Sequence, residues 1–167
     1  MTKTLLIVIG ILFAMTTAII IMRYNNTAIS SDVIYKQLYD KNPKVRAKAI
    51  WDLAFVLHDK ESIPEIRKRL YDEDVNVRQG AILALGGRFG GLNDQESIPQ
   101  VRKFLNDNDK WIRYNSIHFL TFLNDQESIP EIKKLLHDND ESIRKFSQDA
   151  LKQLGVPEEE IERAKSK

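Results

Sequence analysis

The string "NDQESIP" occurs at Asn93–Pro99 and again, letter for letter, at Asn124–Pro130, and a looser copy, "HDKESIP", stands at His58–Pro64. A second mark runs in register with it. "PKVR" ends at Arg46, "VNVR" at Arg78, "KWIR" at Arg113 and "ESIR" at Arg144, at intervals of 32, 35 and 31 residues. Ile63, Ile98 and Ile129 each lie fifteen residues before one of the last three arginines, and each is followed by proline. A chain that repeats itself at this spacing must stack like units, because no unit can bury its own apolar stripe alone.

The repeated words read as helix punctuation. Ser62-Ile-Pro-Glu65, Ser97-Ile-Pro-Gln100 and Ser128-Ile-Pro-Glu131 match the capping box, in which serine caps the first turn and Glu or Gln returns the bond. Proline in that turn loses no needed donor. Each first helix then carries apolar residues at helical spacing: Ile63, Ile66, Leu70; Ile98, Val101, Leu105; Ile129, Ile132, Leu136. A polar turn follows, and Asn42, Asp74, Asp109 and Asp140 offer a second N-cap. The second helices are expected to bury Val45, Ala49, Leu53 and Val56; Val77, Ala81 and Leu85; Ile112, Ser116, Leu120 and Leu123; and Ile143, Ser147, Leu151 and Leu154. The expected architecture is all-α: a solenoid of four helical hairpins at 31–60, 61–95, 96–126 and 127–155, with 156–167 as a capping helix after Gly155. The extra length of the second unit falls in "GGRFGGLN", whose glycines should end its helix early in a mobile turn.

The pattern D-x-x-(V/I)-R-x-x-A after a short "IP" helix resembles the HEAT-like repeats of phycobilisome lyases, over Ser31–Gly155. The resemblance implies an interaction scaffold in most cases, a bilin lyase in a minority, and, in related folds, a DNA glycosylase that removes alkylated bases. It also implies that Arg46, Arg78, Arg113 and Arg144 bond acids of their own or a neighbouring unit. Asp40, Asp72, Asp107 and Asp138 stand six residues before them, so the four arginines read as a structural ladder.

Residues 4–22 carry no charge, and 19 helical residues rise roughly 28 Å, close to the hydrocarbon thickness of a bilayer. Residues 1–24 are therefore expected to form a single-pass membrane anchor, with 25–30 as a linker. The rival is a signal peptide cleaved after Thr16-Thr17-Ala18, which would leave Ile19 at the mature start. Lys3 opposes Arg23, Lys36, Lys41 and Lys44, so the positive-inside rule leaves the side of the soluble domain open.

Chemistry is sparsely written. There is no cysteine, and His58, His118 and His137 show no metal-ligand spacing. "LGGRFGG" lacks the lysine and hydroxyl of a phosphate loop and follows a helix, and no nucleophile turn is present. No catalytic residue and no cofactor are assigned. The 25 basic residues are balanced by 24 acidic ones, which argues against a nucleic-acid track. The glycosylase resemblance would draw on Trp51-Asp52 and on Trp111 with Arg113. The basic residues of the first helices, Arg67-Lys68-Arg69, Arg102-Lys103 and Lys133-Lys134, are expected on a solvated face balanced by acidic turns, with anionic lipid contact as the alternative. In the third unit Trp111, Tyr114, His118 and Phe122 form a stripe away from the core positions, and Trp51 and Phe55 share its register in the first unit; Lys145 and Asp149 do so in the fourth. These six aromatic and histidine side chains are the expected surface for a protein or peptide partner near the membrane; packing between repeats is the competing role.

Overall fold

The computed structural model describes residues 31–87 and 91–166. The expected anchor and linker lie outside the described residues, and among those described no helix is long and apolar enough to cross a membrane. The architecture is all-α, with no strand among the described residues. Helix α1 covers residues 31–37, packs Ile34 and Tyr35 against the core, and precedes α2 (Pro43–Trp51). The following hairpins are α3 (Ile63–Lys68) with α4 (Val75–Leu85), α5 (Ile98–Lys103) with α6 (Lys110–Phe122), and α7 (Ile129–Lys134) with α8 (Glu141–Gln153). Helix α9 (Glu158–Lys165) closes the stack. The second helices α2, α4, α6 and α8 pack side by side as one layer, and α3, α5 and α7 lie against the second helix of their own unit.

The second helices begin where the sequence places them. Asn42, Asp74, Asp109 and Asp140 are extended, and each side chain accepts from a first-turn amide. The first helices also begin directly after the repeated serines, at Ile63, Ile98 and Ile129, but not by the expected cap. Ser62, Ser97 and Ser128 already have helical backbone angles and make no cap bond. An N-cap must be extended for its oxygen to fold over the amides ahead of it, so a residue inside the helical path cannot serve. A 3₁₀ turn precedes each helix, at Lys60–Ser62, Gln95–Ser97 and Gln126–Ser128. The serines are buried, and their hydroxyls donate backwards to the Asp59 carbonyl, Asp94 Oδ2 and the Asp125 carbonyl. In the first of these turns the cap moves upstream to Asp59, which accepts from the Glu61 amide.

The junction between units also explains the unequal intervals. The Asp125 amide bonds the Leu120 carbonyl and the Val156 amide that of Leu151, each five residues back. The matching bonds run six residues back from Asp59 to Leu53 and nine from Asp94 to Leu85. The surplus of one and of four is the amount by which the intervals of 32 and 35 exceed 31. A π-helical turn at Asp52–Val56 absorbs the single residue. It turns Val56 out to 62% exposure and gives its place against the core to Leu57, which corrects the expectation that Val56 is buried. The four-residue surplus leaves the ladder after Leu85. A methyl group at Gly91 would collide with the carbonyls of Gly86 and Ala84, so glycine alone lets this loop close on itself. The residue before each junction amide is left-handed: His58 at φ 49°, Asn93 at 56°, Asn124 at 54° and Gly155 at 84°. Asparagine and glycine tolerate this conformation best, which accounts for the "N" of the repeated word.

The other predicted core positions of the second helices are buried, except for Val45 and Leu123, which are half-buried. In the first helices Ile66, Leu70, Val101, Leu105, Ile132 and Leu136 are buried. Ile63, Ile98 and Ile129 pack half-buried against them.

Candidate functional site

The arginines of the proposed ladder share one local arrangement. Nη1 of Arg46, Arg78, Arg113 and Arg144 donates to the carbonyls six and five residues back, holding the turn ahead of each second helix. Among the described residues two of the four cross to the next unit. Arg46 meets Asp72 through Nε and Nη2 at 2.9 and 2.7 Å, and Arg113 Nη2 meets Asp138 at 2.8 Å. Arg78 and Arg144 bond carbonyls alone, so the rungs are unequal.

A second row of ion pairs was not read from the sequence. Arg67 and Arg102, on the first helices, donate through Nε and Nη2 to Asp94 and Asp125 at the end of their own units, and their Nη1 meets Glu96 and Glu127 of the following ones. The spacings to the aspartates are 27 and 23 residues, differing by the same four-residue insertion. The "D" of the repeated word is thus the acceptor that ties each first helix to the junction with the next unit, and its constancy beside a variable neighbour was the available signal. Lys133 to Glu160 continues the row onto α9, while Lys68 and Lys134 pair with Glu65 and Glu131. The basic stripe is largely neutralised within the protein.

Burial alone would raise the carboxyls of Asp72 and Asp94. Hydrogen bonds from Arg46, and from Arg67 with Ser97, outweigh it and hold both below the usual carboxylate range. A carboxyl depressed in the folded state adds stability above its unfolded value, and that contribution is lost as pH falls through the folded value. Melting temperature should therefore be insensitive to these groups above about pH 5 and fall below about pH 4. Arg67→Ala should reduce the size of that acid-side fall, as measured by thermal melts between neutral and acid pH.

The aromatic candidates separate into two groups, on either side of α4. On α2, Trp51 is 55% exposed and its ring lies 4.4 Å from the half-buried Phe55. On α6, Tyr114 stacks on Phe146 of α8 at 4.2 Å, and His118 lies parallel to the same ring at 6.3 Å. His118 is buried, while Trp111 and Phe122 remain exposed at 54% and 47%. Phe146, not Lys145 or Asp149, is the aromatic partner on the fourth unit; it sits one position further along than the register assigned. Tyr114 and His118 thus contribute to packing between units, and Trp111 and Phe122 do not share that burial. Phe122 leans towards α4, where a methyl group at Gly87 would strike its ring. On its other side a cleft of about 170 Å³ opens between α6 and α8, lined by His118, Thr121, Phe122, Phe146, Ala150 and Gln153.

The residues the glycosylase resemblance would need are not assembled. Trp51 and Trp111 stand on helices separated by α4, Asp52 pairs with Lys48, and Arg113 is buried on Asp138. Among the described residues no group of His, Asp and Glu could hold a metal ion.

The family model described as HEAT repeats matches residues 31–99 and 87–152. No curated protein matches. Among solved structures, an engineered protein from the Northeast Structural Genomics Consortium is similar at a TM-score of 0.57 and 18% identity, over 82% of this chain and 67% of that one. At that identity the likeness concerns the fold alone. The family match spans more than half of the sequence and coincides with the stacked hairpins described above, and the chain belongs to the HEAT-repeat family.

Proposed function

We propose that this protein is a membrane-anchored HEAT-repeat scaffold that binds a protein or peptide segment on the open face of its second-helix layer and performs no chemistry of its own. The cleft beside Phe122 carries the reading. At about 170 Å³ it is smaller than the roughly 300–1,000 Å³ of small-molecule sites, and it suits one apolar side chain inserted from a partner. Two phenylalanines wall it, and the exposed Trp111 and Phe122 supply the large, stiff contact area on which interface energy concentrates. Phe55 extends the surface across α4, and Trp51 stands at its outer margin. Residues 4–22 serve as the single-pass anchor. The eight residues from Arg23 to Ser30 reach at most roughly 26–29 Å, so the partner works close to the bilayer.

Two measurements test this. The full chain should stay in the membrane pellet through an alkaline carbonate wash; a soluble mature form starting near Ile19 would refute the anchor. In native membranes, a photo-crosslinking residue at Gln153 should capture a discrete partner, and Phe122→Ala should abolish the capture. Equal capture from Lys103, on the row of first helices, would refute the assignment of the face.

A further inference from the structure

The two ends of the stack differ in a way the repeat does not require. Seven large apolar side chains are exposed among the described residues: Val33, Tyr39, Trp51, Val56, Tyr71, Trp111 and Phe122. Four belong to the first unit, and none to the fourth unit or α9. At the far end α9 buries Ile161, and Val156 is buried beside it. Among the described residues the near end has no such cover. Of its four, Tyr39 is engaged at the turn between α1 and α2, where it donates to Glu65 and lies under the Arg69 guanidinium. Val33, Trp51 and Val56 remain, towards the opposite end of the hairpin.

That opposite end is where the chain enters. The Tyr35 hydroxyl donates to Asp59 at 2.8 Å, which ties α1 to the junction that follows Val56. Asp59 follows the exposed Val56 by three residues, and the uncharged segment 4–22 stands only eight residues before Ser31. The π turn sharpens the point. A one-residue surplus ejected from a core helix could have been any polar residue, but here it exposes a valine next to a tryptophan–phenylalanine pair. The charges at this end, Lys36, Lys48 and Lys60 against Asp32, Asp52, Asp59 and Glu61, carry no basic excess, and Lys48 is paired with Asp52.

We propose that Val33, Trp51 and Val56 form a lipid-docking edge that rests in the interfacial zone of the bilayer next to the anchor. Indole rings favour that zone, with their apolar body towards the acyl chains and their N–H towards water. The paired charges make a zwitterionic surface sufficient. Docking would fix the solenoid's tilt, holding the first unit down and the cleft between α6 and α8 away from the membrane. The inference rests on the anchoring reading above.

The test uses the full chain in phosphatidylcholine vesicles that contain lipid brominated near the glycerol end of its acyl chains. Trp111→Phe leaves Trp51 as the single tryptophan, and Trp51→Phe leaves Trp111. Trp51 should lose emission to the bromines and shift to the blue, while Trp111 should stay quenchable by aqueous acrylamide. Val56→Asp, checked for unchanged helicity, should restore much of the Trp51 emission. A chain that floats with the vesicles but shows no more bromine quenching at Trp51 than at Trp111 overturns the docking edge and leaves the anchor standing. A chain that does not float overturns both.

Discussion

Replacing Asp72 by alanine should destabilise the solenoid by about 3–5 kcal/mol, the usual cost of leaving a buried charge without its partner. The Asp72 side chain is 3% exposed and that of Arg46 6%, so neither can turn to solvent for compensation. Asp72 also accepts the Asp74 amide at 3.0 Å, ahead of α4, and that bond would be lost too. A fall in melting temperature on the order of 10–20 °C follows for a domain of this size. Arg78→Ala is the internal control. It holds the same place in its unit but bonds only carbonyls, so it should cost no more than about 1–1.5 kcal/mol. Equal losses in the two variants would mean that the turn bonds, and not the inter-unit pair, carry the effect. Replacing Arg46 and Asp72 together by apolar residues of similar size should recover much of the loss, since the pair's net worth is smaller than the penalty of breaking it.

The difference between those two arginines marks where the sequence stops being legible. Period, second-helix caps and apolar spacing are local rules, and they place α2, α4, α6 and α8 and most of their core residues from sequence alone. Asn42, Asp74, Asp109 and Asp140 cap as expected because a cap needs only its own next two or three amides. The repeated serines mislead for the same reason. The capping-box pattern is present, but the chain enters through a 3₁₀ turn, and the serine is consumed in a backward bond inside the core. Pairing across units depends on how far each helix is displaced by its insertions. Six-residue spacing names Asp107 as readily as Asp72, yet no arginine reaches it among the described residues, whereas Arg67 and Arg102 look like solvated cations until the junction with the next unit folds onto them. The aromatic face fails by one position. A stripe continued from Tyr114 and His118 predicts Lys145 and Asp149, and the packing partner is Phe146, because contact between neighbouring helices joins positions one residue apart as easily as identical ones.

Phe146→Ala and Phe122→Ala should separate the two roles that the aromatic face combines. Phe146 is half-buried and bears both the Tyr114 ring and the His118 ring, so its removal opens a void between α6 and α8 that neither helix can fill. A loss of about 3 kcal/mol is expected, at the lower end for buried phenylalanine because part of the ring is already wet. Phe122 is 47% exposed, and its ring lies close enough to Gly87 that a methyl group there would strike it. Its removal should cost under about 1 kcal/mol of stability, as expected for a side chain already half in water. On partner capture the order reverses. Phe122→Ala should weaken binding by about 1–3 kcal/mol with helicity unchanged, because an exposed aromatic beside a side-chain-sized cleft is placed to be an anchor. Thermal melts and partner titrations on both variants decide the matter. If Phe122→Ala melts as low as Phe146→Ala, the whole stripe is inter-unit core and the cleft is a packing defect. If it melts like the parent and binds like the parent, the partner surface lies elsewhere on the second-helix layer, with the exposed Trp111 as the next anchor to replace.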